Sequence, residues 1–378
     1  MNWSRLILMS ERFPFALFAY DFAHRKTSDF IIDLISMGVR NFIVLAAPKK
    51  KLQAREYAID HEQKIVHCPA IDTKRLCQNF DIPFYSVAHE DAYKILSLRD
   101  QYSFRMGIIS GARIISNDVI GLFSDGIINF HPGKIPESSG LDAFYHTIRS
   151  DVPPGVTTHF IDQKVDAGQL IYFDEVNINS NDTPGVVIEN IYQTQRIALR
   201  RVVSLLETDS IKSEPLFRPA KNAPMSALEK YEVLSRFSGW RDRVLNRQRI
   251  GKLFSACAVG NSSIVVSLLK ESPSLVNVRN DRGWTPLIVA CHGQHVPLVA
   301  SLLGLGAAPN LANLKGTTPL MYAKEKLLND PKADYQILDL LIEAGADLSA
   351  LDCFGKSVLD YIRAHNDMRM LAYVSQKV

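Results

Sequence analysis

Gly126-Ile127-Ile128-Asn129-Phe130-His131-Pro132 reads as the end of a buried strand that carries chemistry. Side chains on an extended strand repeat with period two, so Asn129 and His131 lie on one side and can face one substrate. Upstream, Met106 to Ser110 has the run of a strand and Asp118 to Phe123 that of a short helix. Downstream, Gly155-Val156-Thr157-Thr158-His159-Phe160 reads as another strand. Val165-Asp166-Ala167-Gly168-Gln169-Leu170-Ile171 then sets a carboxylate on a turn leading into a further strand. Asn129, His131 and Asp166 are the candidate functional residues.

Working outward, Phe15 to Tyr20 and Asn41 to Ala46 are short apolar runs of strand character, and Ile82 to Ser86 is a third. Helical spacing lies between them: Phe30, Ile31, Leu34 and Ile35 after a start at Thr27-Ser28-Asp29, then Asp72 to Phe80, then Glu90 to Leu98. Val186 to Leu206 carries Ile188, Ile191, Ala198, Leu199, Val202 and Leu206 on one stripe, a long amphipathic helix. Strands alternating with helices predict an α/β domain, a mostly parallel sheet flanked by helices on both faces. Ligands collect at the carboxyl ends of strands in such folds, which is where Asn129-Phe130-His131 stands.

Several classes are excluded. No G-x-G-x-x-G follows the first strand and no G-x-x-x-x-G-K-[ST] occurs, so dehydrogenase and kinase readings lose support. The formal charge of +3 over 378 residues gives no electrostatic footprint for nucleic acid. No run of about 18 apolar residues and no secretory leader is present, which predicts a cytoplasmic protein without a membrane span. The five cysteines, Cys68, Cys77, Cys257, Cys291 and Cys353, show no paired ligand spacing and read as reduced thiols. No metal is expected.

The pattern breaks into polar residues with Pro215, Pro219 and Pro224, which places a first domain at 1–210 and a helical connector at 211–249. Arg236, Arg241, Arg243, Arg247 and Arg249 in that connector are a phosphate patch or, more commonly, a solvated helix face. Residues 250–378 are repetitive. Asp281-Arg282-Gly283-Trp284-Thr285-Pro286-Leu287 recurs as Leu314-Lys315-Gly316-Thr317-Thr318-Pro319-Leu320, with Gly283 and Gly316 33 apart, and more weakly at Asp352 to Leu359. That is the ankyrin period, with T-P-L opening the first helix of each of about three and a half units.

An amide donor, an imidazole and a carboxylate, with no serine or cysteine on a nucleophile elbow, suit direct transfer of an acyl group between two bound substrates. The amide stabilises an oxyanion, the imidazole relays a proton and the carboxylate orients it. Singly, each residue has a plainer reading: Asn129 caps a turn, His131 is a satisfied core histidine and Asp166 meets solvent.

The block Gly126 to Pro136 (GIINFHPGKIP) followed by Gly140, then Gly155-Val156-Thr157-Thr158-His159 and Val165-Asp166-Ala167-Gly168, resembles the folate-dependent formyltransferases. The resemblance covers roughly residues 15–206. It implies 10-formyltetrahydrofolate as formyl donor, a primary amine as acceptor, and Asn129, His131 and Asp166 as the catalytic trio. It also implies folate contacts along Ile108, Ile109, Ser110 and Gly111 and a substrate contact at Gly140. The commoner H-P-S-L-L-P is replaced by His131-Pro132-Gly133-Lys134-Ile135-Pro136, which affects loop shape and leaves the trio intact.

The tail bears on the acceptor. Residues 250–378 hold 12 Lys plus Arg against 11 Asp plus Glu, poor for binding transfer RNA. The chain is most similar to the nucleotide-sugar N-formyltransferases, some of which carry ankyrin repeats. That likeness implies a dTDP-amino-dideoxyhexose, a 3-amino-3,6-dideoxy sugar in the first instance, feeding bacterial surface polysaccharide such as O-antigen. A homo-oligomer, a dimer in the first instance, is the expected assembly. Trp284, at a turn with Arg282 beside it and Lys315 in the next unit, is a candidate second nucleotide-sugar site; packing or protein interaction is the plainer role. A formyltransferase-like ligand sensor or scaffold without turnover, and a formyltransferase for another amine, remain as alternatives.

Overall fold

Two six-residue apolar runs, β1 (Phe15–Tyr20) and β2 (Phe42–Ala47), pair in parallel from Phe15–Phe42 to Tyr20–Ala47. Both are buried, as parallel strands covered on two faces must be. The chain goes on to β3 (Phe84–Ser86) outside β2, then returns to β4 (Met106–Ile109) on the far side of β1. After β5 (Ile127–His131), parallel to β4, come β6 (Gly155–Phe160), β7 (Gln169–Glu175) and the short β8 (Glu214–Pro215), each antiparallel to the strand before. The sheet of eight is therefore mixed, in the order β3-β2-β1-β4-β5-β6-β7-β8. This computed structural model describes residues 14–50, 70–113, 115–162, 168–208, 210–216, 222–330 and 332–377. They divide into two units, Met1–Leu245 and Asn246–Val378.

The return past β1 sends helices to opposite faces. One face carries α1 (Arg25–Ser36), whose Phe30, Ile31 and Leu34 pack with Leu17, Val44 and Ile128. After α2 (Thr73–Asn79), capped by Asp72, the other face receives α3 (Ala92–Tyr102), where Ile95 and Leu98 meet Phe18, Leu45 and Ile127. Strand order reverses between β1 and β4, which opens a crevice at their carboxyl ends. The start expected at Thr27 falls two residues earlier. His24 caps α1, its Nδ1 accepting from Thr27 N at 3.3 Å, while Ser28 Oγ donates to the His24 and Ile71 carbonyls.

Beyond the short α4 (Asn117–Ile120) and α5 (Ala143–Arg149), α6 (Pro184–Glu207) runs 24 residues and buries Val187, Ile191, Ala198, Leu199 and Val202. It is bolted to α1 by charge. Arg25 forks onto Glu189 at 2.8 and 2.6 Å, and Asp33 accepts from Arg196 at 2.8 and 2.9 Å and from Arg200 at 2.6 Å. Burial alone raises the Asp33 carboxyl, but the two guanidinium groups outweigh it and hold the group below the usual carboxylate range.

The stretch read as a connector helps build the first unit's core. Helices α7 (Ala227–Leu234) and α8 (Phe237–Ala258) supply Val233, Phe237, Trp240 and Val244, and Trp240 Nε1 donates to the Val152 carbonyl at 3.0 Å. Leu228 and Tyr231 stay exposed on α7. Two arginines of the suspected phosphate patch are already engaged: Arg243 pairs with Asp151 at 2.9 Å and Arg241 donates to the Asp182 carbonyl at 3.3 Å.

In the second unit one device recurs. Asn280, Asn313 and Asp352 each accept two backbone N–H bonds from the turn that follows, at 2.8–3.1 Å. Thr285, Thr318 and Ser357 then cap α10 (Pro286–His292), α12 (Pro319–Glu325) and α14 (Val358–Ala364). Gly283 has φ of 71°, and a Cβ there would stand 2.5 Å from Leu314, so the turn requires glycine. Partner helices α9 (Ser262–Glu271), α11 (Val296–Gly304), α13 (Gln336–Glu343) and α15 (Met368–Ser375) close one continuous core through Leu269, Leu302, Leu341 and Met370.

Asp33→Asn leaves two arginines facing a neutral amide and is expected to lower unfolding stability by about 3 kcal/mol, read from urea midpoints. Because the folded carboxyl titrates below its unfolded value, the wild-type advantage is present above the unfolded value and vanishes as pH falls through the folded one.

Candidate active site

Strand β5 outruns its parallel neighbour. The last β4 partner is Ile108, opposite Ile128, so Asn129, Phe130 and His131 pair only with β6, opposite His159, Thr158 and Thr157. Phe130 turns into the core edge-on to Phe30, with ring centres 5.5 Å apart, and alternation puts Asn129 and His131 on the opposite side of the strand.

His131 is buried and its Nε2 lies 2.8 Å from the Ser138 carbonyl. A carbonyl only accepts, so Nε2 carries the proton and Nδ1 is the atom able to take one in the neutral ring. The Ser138 carbonyl is itself held. Thr157 Oγ1 donates to the Gly133 carbonyl at 2.6 Å and accepts from Ile135 N at 3.2 Å, while Ser138 N and Oγ donate to the Lys134 carbonyl at 2.8 and 2.7 Å. Asn222 reaches over from the far side to grip the Glu137 and Ser139 carbonyls at 2.8 and 3.1 Å. Gly133 explains the departure from H-P-S: a Cβ there would stand 2.2 Å from Ser138 Oγ.

Asn129 is oriented from across the sheet. Its Nδ2 lies 3.3 Å from His159 Nε2, and His159 Nδ1 is 3.2 Å from the Phe160 carbonyl. That carbonyl requires the proton on Nδ1, so Nε2 accepts and fixes which end of the Asn129 amide is nitrogen. The amide's second N–H is not the one that His159 engages. His159 is wholly buried and was not singled out from the sequence, because only the antiparallel register brings it opposite Asn129.

The third candidate, Asp166, lies outside the described residues, with 163–167. Of the stretch expected to meet folate, Ile108 is consumed by the core and Ile109 is half-buried in the sheet. Ser110 Oγ donates to the Phe18 carbonyl at 2.9 Å, and Gly111 admits the Tyr20 ring and His24, which a Cβ would meet at 2.9–3.0 Å. Ser110 and Gly111 are both buried at the carboxyl end of β4, beside that of β1. Gly140 sits in the turn after β5 with φ of 88°, a left-handed conformation suited to glycine. Trp284, in the second unit, is half-buried and packs on Tyr322 and His292 with ring centres 4.7 and 5.2 Å away. A cavity of about 330 Å3 opens at the amino ends of β1 and β4, lined by Phe15, Arg105, Met106 and Leu206. Neither Asn129 nor His131 lines it, and its one carboxylate, Asp125, is paired with Arg105 at 2.7 Å.

Sequence comparisons find a match in each part of the chain. The family described as Formyl transferase matches residues 41–203, and Ankyrin repeats, in three copies, match 253–366. The chain carries a formyltransferase-superfamily domain fused to ankyrin repeats. It is similar to the methionyl-tRNA formyltransferase of Halothermothrix orenii, 26% identical over 160 residues, covering 36% of this chain and 51% of that protein. The phosphoribosylglycinamide formyltransferase of Bacillus subtilis is 29% identical over 84 residues, 22% of this chain and 43% of that one. The trifunctional purine biosynthetic protein adenosine-3 of Chironomus tentans is 29% identical over 101 residues, 26% of this chain and 7% of that one. The chain thus spans about half the length of these relatives or less. Among the described residues no helix is long and apolar enough to cross a membrane, and no group of three or more His, Cys, Asp or Glu is placed to hold a metal.

Gly133→Ala is expected to cost about 1–3 kcal/mol by overpacking against Ser138. Thermal unfolding of Gly133→Ala with Ser138→Gly checks the cause, since the double variant should regain part of the loss.

Proposed function

We propose that the first unit moves the formyl group of 10-formyltetrahydrofolate to the amino group of a dTDP-amino-dideoxyhexose, a step in surface-polysaccharide synthesis. The observation that carries the reading is the pairing at the end of β5: an amide oriented by His159 and an imidazole oriented by Ser138, on one side of a strand whose neighbour has stopped. The acceptor nitrogen, unprotonated, bonds to the formyl carbon as the carbonyl electrons move onto oxygen. Asn129 Nδ2–H meets that oxyanion. Collapse breaks the bond to the folate nitrogen, which gains a proton as the acceptor nitrogen loses one. His131 Nδ1 is the group that takes and returns it, and Asp166 completes the trio.

The dTDP-sugar assignment is supported by the electrically balanced ankyrin tail, which offers no surface for nucleic acid, and by the resemblance to ankyrin-bearing sugar enzymes. In that reading Trp284, packed at a tilt against Tyr322 and His292, gives the second unit an aromatic surface for a nucleobase, with Arg282 nearby for phosphate. The competing reading is a ligand sensor without turnover.

Purified protein with 10-formyltetrahydrofolate and a panel of dTDP-3-amino and dTDP-4-amino sugars should release tetrahydrofolate with one sugar; binding of folate without release across the panel favours the sensor. Asn129→Ala should lower kcat by about 100- to 1,000-fold with the fold retained, and wild-type turnover in that variant contradicts the assignment. Trp284→Ala should abolish any binding of dTDP-sugar beyond one equivalent per chain, measured calorimetrically, while first-site binding persists.

A further inference from the structure

The Phe130 carbonyl is a group that neither the sheet nor the chemistry above accounts for. Ile127 O, three residues back on β5, accepts from Ile161 N of the β6 side at 2.8 Å, and alternate residues direct their backbone groups to opposite edges. The Phe130 carbonyl therefore points to the edge β4 has left. Lys26 Nζ, from the first turn of α1, approaches it at 3.4 Å, long for a hydrogen bond. The same ammonium stands 5.2 Å from the Phe30 ring centre and 6.0 Å from that of Phe130.

Lys26 has no carboxylate partner among the described residues. The acids near it on α1 and α6 are taken: Asp29 by Tyr192 and Arg25, Glu189 by Arg25 and Gln193, Asp33 by Arg196 and Arg200. The side chain is half-buried, its ammonium lies between the Phe130 carbonyl and the Phe30 ring, and burial pulls it down to about 7. Its titratable neighbour, His24, is pushed down to about 4 by burial and then by Lys26 itself, and so stays neutral. Thr27 and Ser110 complete a polar cluster with His24 at the crevice between β1 and β4: Thr27 Oγ1 is 2.9 Å from His24 Nδ1 and 3.3 Å from Ser110 Oγ. A charge set this deep is costly unless something pairs with it.

We propose that Lys26 is the anion-recognising residue of the acceptor site, its ammonium pairing with the phosphate or diphosphate of a phosphorylated amine that enters between β1 and β4. The identity of that anion rests on the acceptor proposed above. A compact ammonium suits a multiply charged phosphate, whose attraction repays desolvation better than a single carboxylate does. The position beside the Phe130 carbonyl puts the anchored end of the acceptor next to the strand that carries Asn129 and His131.

The test uses the full chain with its lysines reductively dimethylated with 13C-formaldehyde, the Lys26 resonance being the one missing in Lys26→Arg. It should titrate well below the other lysines and move up by one pH unit or more on saturation with thymidine diphosphate. A shift with inorganic pyrophosphate but not with thymidine diphosphate supports an anion site and assigns it to a free phosphate. No shift with either, or a shift only with 5-formyltetrahydrofolate, overturns the proposal. Lys26→Met replaces a buried charge with an apolar side chain of similar length, so Tm should hold or rise while thymidine diphosphate affinity falls at least tenfold. A lower Tm with unchanged affinity makes Lys26 structural and overturns it as well. These readouts need no turnover: a Lys26 response without formyl transfer leaves the anion site standing and removes the formyl-transfer reading.

Discussion

A strand that continues after its parallel neighbour has ended is the feature on which the site depends. While β4 runs beside β5, the backbone groups between them are spent on the sheet. Past Ile128 they are not, and the last three residues of β5 are held by β6 alone. The gap is bounded by the carboxyl end of β1 and the first turn of α1, because the chain reversed its order at β1. A crevice with polar backbone on one wall and side chains of alternating sense on the other follows from topology before any functional residue is chosen.

Holding that geometry takes support from several distant segments. The Asp33, Arg196 and Arg200 cluster fixes α1 against α6 and so fixes the turn that carries His24 and Lys26. Thr157 and Asn222 hold the loop after β5 from two sides, and through it the carbonyl that sets the His131 tautomer. His159 does for Asn129 what Ser138 does for His131. Each group proposed to act is thus held by another that has no direct part in the chemistry.

Much of this was legible in the sequence, for identifiable reasons. Apolar runs separated by helical spacing gave the α/β unit, and period two put Asn129 and His131 on one side of β5. The 33-residue interval between Gly283 and Gly316 gave the ankyrin array, because each turn needs the same left-handed glycine and the same capping threonine. What escaped was long-range. The antiparallel register that sets His159 against Asn129 leaves no local trace, nor does the reach of Asn222 to a loop 83–85 residues earlier. Nothing in the residues around Lys26 says that its end meets the Phe130 carbonyl. The prolines before Ser226 mark out a connector at 211–249, and only the tertiary packing shows that Val233, Phe237, Trp240 and Val244 within it join the first unit's core.

The central claim is that formyl transfer occurs at the carboxyl end of β5. A crystal structure with 5-formyltetrahydrofolate and thymidine diphosphate tests it most directly. The account predicts the folate N10 within about 3 Å, or one water, of Asn129 and His131, with the folate passing Ser110 and Gly111. Folate bound elsewhere, for instance in the cavity between Phe15, Met106 and Leu206 at the opposite end of the strands, would contradict it.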